Sequence, residues 1–102
     1  MENSKIIVLA EATILPQFIQ EIQALSAAIL APTLQEAGCE AFYQTWKKDD
    51  PNTLVFFEVF TSQEALDLHM QADYTKAFFA GLNGKVSGKP VTTMLQQFPS
   101  TI

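Results

Sequence analysis

The chain of 102 residues contains no arginine, and its six lysines stand against eleven acidic residues, for a net charge of −5. That balance argues against a nucleic-acid partner, because a phosphate backbone demands a basic face. It also counts against a tightly clamped phosphate or carboxylate ligand, since bidentate recognition of those groups is mainly arginine chemistry. One histidine, His69, and one cysteine, Cys39, are present. A single cysteine forms no intrachain disulfide, and the pair is too few for a closed zinc site. No phosphate loop, nucleophile elbow or dinucleotide fingerprint occurs, so neither a metal nor a cofactor is expected. The four glycines and five prolines mark turns without forming a linker or a low-complexity tract, and no internal repeat is evident. Residues 1–102 therefore read as one domain. The apolar stretch near the N-terminus is short and is broken by Glu11, unlike a signal or membrane segment. A cytoplasmic protein with no membrane partner is the expectation.

What the chain does have is hydrophobic residues, at 48%, well above a disordered composition, and eight phenylalanines. So many rings imply a large aromatic core, a pocket or an interface. Ile6–Ala12 is nearly continuous in aliphatic residues and reads as a first strand. Pro16 suits the first turn of a helix, on which Phe18, Ile22, Leu25 and Ile29 recur at helical spacing. Pro32 is expected to end or kink that helix, with Thr33 capping a further turn against Glu36 and Gly38 closing it.

Cys39–Lys47 reads as the second strand, and residues 48–52 as a polar turn. Thr53–Phe60 is the clearest strand and completes a hairpin. Thr61–Glu64 has the form of a capping box opening a helix to about Ala72, and Asp73 is placed to cap another over Tyr74–Leu82. Gly81, Gly84 and Gly88 lead to a last strand over Val91–Phe98. The order β-α-β-β-α-β is that of a ferredoxin-like α+β fold, an antiparallel sheet with helices on one face.

Several residues are candidates for chemistry. His69 follows Leu66 by three helical positions and so faces the sheet, either as a proton carrier or as a packed core histidine. Glu58 lies mid-strand between Phe56 and Phe60 on its own face, where a carboxylate is costly unless a pocket or a partner receives it. A dimer-interface role is equally open. Tyr43 and Trp46, at odd spacing, lie on opposite faces of their strand, with Trp46 read as core or interface. Cys39 has no basic neighbour to activate it. Glu11 either reaches a cavity or meets solvent at a strand end.

Glu36-Ala37-Gly38-Cys39, followed by Tyr43, resembles the Glu-x-Gly-Cys entry to the second strand of the antibiotic-biosynthesis-monooxygenase superfamily. Glu58 to Leu66, with His69, resembles that superfamily's strand-to-helix signature. Tyr74 and Phe78 fall where the family usually has a second histidine and a phenylalanine, so Tyr74 departs from the pattern. The resemblance implies a dimeric α+β barrel with a pocket between sheet and helices. It further implies a cofactor-independent monooxygenase for a quinol or electron-rich aromatic. Carried over by motif, His69 and Glu58 are the catalytic pair, and Tyr43, Phe56, Phe60 and Tyr74 bind the substrate. Heme degradation is disfavoured, because His69 and Phe79 stand near that branch's tryptophan and histidine positions. A non-catalytic dimeric binding module, and an isomerase of the autoinducer-processing branch, are the alternatives.

The third strand carries one prediction that needs no resemblance. Leu54, Phe56 and Phe60 lie on one of its sides, and Val55, Phe57 and Val59 on the other. Helices cover only one side, so the other requires a second sheet, most simply that of an identical subunit. Light scattering at micromolar concentration is expected to give the mass of a homodimer; a strictly monomeric species overturns this.

Overall fold

A computed structural model describes residues 5–99. Strand β1 (Ile6–Thr13) leads through a short 3-10 turn at Pro16–Phe18 into helix α1 (Ile19–Leu34). The hairpin of β2 (Cys39–Lys47) and β3 (Asp50–Phe60) follows, then α2 (Gln63–Gln71), α3 (Asp73–Leu82) and β4 (Val91–Leu95). The sheet order is β2-β3-β1-β4, and its pairings are antiparallel. This is the ferredoxin-like α+β arrangement expected from the element order.

Alternation along each strand sorts the side chains onto two faces. Val8, Ala12, Phe42, Leu54, Phe56 and Phe60 are buried on the helix side. Of these, Ala12, Phe42, Leu54 and Phe56 meet Ile22 and Ile29 of α1 and Phe78 and Leu82 of α3 in one core. Edge-to-face and tilted ring contacts join Phe42 to Phe56 at 5.5 Å and Phe56 to Phe78 at 5.6 Å. On the opposite face, Ile7, Leu9, Val55, Phe57 and Val59 are only half-buried. Tyr43 beside them is 63% exposed, and β4 is exposed along its length.

Local structure departs from the sequence expectations at several boundaries. Helix α1 runs through Pro32 to Leu34. The proline removes one N–H near the helix end, where its would-be acceptor, the carbonyl of Ala28, belongs to a solvent-exposed residue and can meet water. Thr33 is thus helical and fully buried, without capping a new turn. Ser62 caps α2, its oxygen accepting from Ala65 N at 3.1 Å. No Thr61–Glu64 box is needed, because Thr61 N already donates to Gly38 O at 2.8 Å. Asp73 is the first residue of α3, whose cap position is Ala72 without a side-chain bond. The hairpin link shortens to Lys48–Asp49, and Pro51 falls where the β2–β3 register shifts, a place that tolerates a missing donor. β4 ends at Leu95, short of Phe98.

Two glycines set how closely elements approach. Gly81 lies inside α3, not in the loop after it, and a Cβ there would stand 2.5 Å from Leu25 Cδ1 of α1. At Gly38 a Cβ would meet Ala65 Cβ at 2.3 Å. Ala65 has no rotamer with which to yield, so relief requires α2 itself to shift. Gly38→Ala is therefore expected to destabilise the fold by about 1–3 kcal/mol, read as a lowered urea midpoint; an unchanged midpoint means that α2 moves freely.

Candidate functional site

The first turn after α1, the last turn of α2 and the start of α3 converge on one carboxylate. His69 on α2 is 3% exposed, and its Nδ1 lies 2.9 Å from Glu36 Oε2. The Tyr74 hydroxyl on α3 donates to the same oxygen and reaches the Pro32 carbonyl at 3.4 Å. Burial, followed by the bond to Glu36, pushes the Tyr74 phenol up to about 12. Tyr74 therefore acts as a hydrogen-bond donor that pins Glu36. A carboxylate at Nδ1 favours the proton on that nitrogen, which leaves Nε2 as the lone-pair nitrogen of the neutral ring. The imidazole packs 5.0 Å from the Phe60 ring and 5.9 Å from that of Phe42, which hold its plane.

His69 also borders a cavity of about 60 Å³ between the sheet and α3. Its inner wall is apolar (Ala12, Phe42, Phe56, Phe78) and is interrupted by three polar side chains, Glu58, His69 and Thr75. Exposed Phe79 and Pro90–Thr92 form its rim. Glu58 projects from β3, opposite Val8 of β1 and Phe42 of β2, and is 7% exposed. Loss of hydration, and then the charge of Glu36, push its carboxyl up to about 7. Near neutral pH this group is shared between acid and carboxylate, as a group that exchanges protons with a ligand must be.

The expected residues are thus only partly brought together. Glu58, His69 and Phe56 line one cavity, but the hydrogen bond of His69 goes to Glu36 and not to Glu58. Phe60 stands behind the imidazole, fully buried and off the cavity wall. Tyr74 turns to a separate outer groove with Glu36, Gly38 and Leu68. Tyr43 does not join them: it pairs with Phe57, so strand alternation sends it to the face away from the helices. Glu11 shares that outer parity, opposite Val55, though it borders the cavity rim. Burial and Glu36 raise the Cys39 thiol, in keeping with an unreactive cysteine.

Two residues of the site were not singled out from sequence. Glu36 was read as a cap partner, although its place two residues before Gly38 in the Glu-x-Gly-Cys motif marked it. Thr75 precedes Phe78 and Leu82 by three and seven positions, the spacing of the inward face of α3. Among the described residues no group of three or more potential ligands could hold a metal ion, and no helix is long and apolar enough to cross a membrane.

The shift of Glu58 couples stability to pH. Its folded value lies above its ordinary 4.5, so the folded chain holds a proton that the unfolded chain releases, and this contribution is fully present below about pH 4.5. It is lost as pH rises through about 7, by on the order of 3 kcal/mol. Glu58→Gln should leave stability at pH 4 nearly unchanged and raise it relative to wild type at pH 8, as read from urea midpoints. Parallel pH profiles for the two proteins overturn this assignment.

Comparison with known proteins agrees with this fold. The profile of the antibiotic biosynthesis monooxygenase family matches residues 5–81. The chain is 32% identical over 76 residues to an uncharacterized protein of Synechocystis sp., covering 74% of this chain and 52% of that protein. The chain thus spans about half the length of that curated relative. Among solved structures, a Mycobacterium tuberculosis protein superposes with a TM-score of 0.88 at 25% identity, covering 97% of this chain and 100% of the other. A crystal structure titled as an antibiotic biosynthesis monooxygenase superposes with a TM-score of 0.87 at 23% identity, over 92% and 99% of the two chains, a likeness of fold. A matching profile over most of the chain, on a fold shared with these structures, makes this chain a member of the antibiotic biosynthesis monooxygenase family.

Proposed function

We propose that the protein is a cofactor-independent monooxygenase for a quinol or electron-rich phenol, working as a homodimer with His69 as its base. The observation that carries this reading is the buried imidazole, held at Nδ1 by Glu36 while the ring borders an aromatic-walled cavity. Nε2 takes the proton of a substrate hydroxyl, and the carboxylate of Glu36 stabilises the imidazolium that results. The phenolate is then electron-rich enough to reduce oxygen directly. The atoms balance without an external reductant: a quinol with a ring C–H and one O₂ gives a hydroxyquinone and one water. Glu58, near its midpoint at neutral pH, accepts and returns the second proton. The apolar wall excludes water that would quench the intermediate.

The cavity is smaller than the roughly 150 Å³ engineered space that admits benzene. Entry of a ring therefore requires the exposed rim at Phe79 and Pro90–Thr92 to open. The half-buried outer sheet face is the surface that a second copy covers in the proposed dimer.

The isomerase alternative, with a phosphorylated substrate, is poorly supported, since no lysine lines the cavity and the chain has no arginine. The binding-module alternative draws its support from the smallness of the cavity. Oxygen uptake with a panel of quinols separates them. Wild type is expected to consume one O₂ per quinol, and His69→Ala to lower kcat by about 10²-fold or more. Unchanged turnover in His69→Ala removes the mechanism, and no uptake with any quinol by wild type favours the binding module.

A further inference from the structure

Thr75 is 1% exposed, and its hydroxyl has no hydrogen-bond partner among the described residues. Thr75 lies in the first turn of α3, where no preceding turn of the same helix offers its hydroxyl a carbonyl. An unanswered buried hydroxyl is costly, and folds seldom retain one without a purpose. Thr33 is equally buried and unpaired, but it is not in the wall of the cavity; Thr75 is, together with Glu58 and His69. The void beside Thr75, about 60 Å³, is large enough to hold a polar group there.

We propose that Thr75 is a ligand-contacting residue that selects an uncharged, oxygen-bearing aromatic, its hydroxyl bonding one oxygen of the ligand. This rests on reading the cavity as the substrate site. The hydroxyl can donate to a carbonyl or accept from a phenol, so it serves both a quinol and the quinone formed from it. An anionic ligand is rejected, because the wall holds the carboxyl of Glu58 and no basic residue other than His69, itself committed to Glu36. An all-hydrocarbon ligand leaves Thr75 unanswered and gains nothing from it. Sites built to bond a substrate hydroxyl discriminate strongly against analogues that lack it.

Calorimetric titration of the full chain under anaerobic conditions, with hydroquinone, toluene and benzoate as probes, tests this apart from turnover. Hydroquinone is expected to bind wild type more tightly than toluene, and benzoate not to bind. Thr75→Val, which keeps the shape and removes the hydroxyl, should weaken hydroquinone by about tenfold, leave toluene as tight or tighter, and melt no lower than wild type. Thr75→Ser should recover most of the hydroquinone affinity. Equal hydroquinone affinity in wild type and Thr75→Val, benzoate binding as tight as hydroquinone, or no hydroquinone binding by wild type overturns the proposal. Hydroxyl-dependent binding without oxygen uptake leaves Thr75 in its role and removes only the oxygenase reading.

Discussion

Glu36 stands where the three helices come together, at the foot of α1, with one oxygen accepting from His69 on α2 and from Tyr74 on α3. A charge-assisted pair of this kind in a partly dry setting is stronger than its neutral counterpart, and stronger than the same pair in water. It ties the two short helices to the end of α1. It also bears on the chemistry of the imidazole, because a carboxylate held at Nδ1 leaves Nε2 as the lone-pair nitrogen of the neutral ring. The close approach of Gly38 to Ala65 brings the start of α2 against the turn that carries Glu36, so the packing and the hydrogen bond depend on one another.

The same carboxylate reaches a second group through space. Glu58 is buried on the sheet, and the negative charge of Glu36 adds to the desolvation that raises it. Two carboxyl groups near one imidazole thus have divided parts. One is tied by two donors and stays with the ring; the other has no protein partner among the described residues and titrates near neutrality.

Much of the fold was legible because strand and helix periods are local properties of the chain. The second strand, Cys39–Lys47, lies where its composition placed it, and the two-sided apolarity of Leu54–Phe60 follows from alternation alone. Boundaries were less legible where a remote partner intervened. The cap at Thr61 was displaced because Gly38, 23 residues away, had already taken its N–H. Helix α1 passed through Pro32 because the carbonyl left without its donor belongs to an exposed residue, and exposure is a tertiary property. Gly81 reads as a loop residue until Leu25 of another helix occupies the space beside it.

For the site, the chain by itself determined that His69 faces the sheet and that Glu58 shares the side of Phe56 and Phe60, since parity and helical spacing fix direction, but left open whether that side meets the helices or a second subunit. Parity also separated Tyr43 from that side as soon as its partner Phe57 was known. Sequence could not determine which acid His69 would hold. Glu58 and Glu36 are both candidates by type, and 33 residues lie between Glu36 and the ring it binds. Only the folding of three helices onto one sheet chose Glu36, and it left Thr75 without a partner inside the cavity. Hydrogen bonds are short-ranged and directional, so their partners follow from the packing of elements and not from the order of residues along the chain.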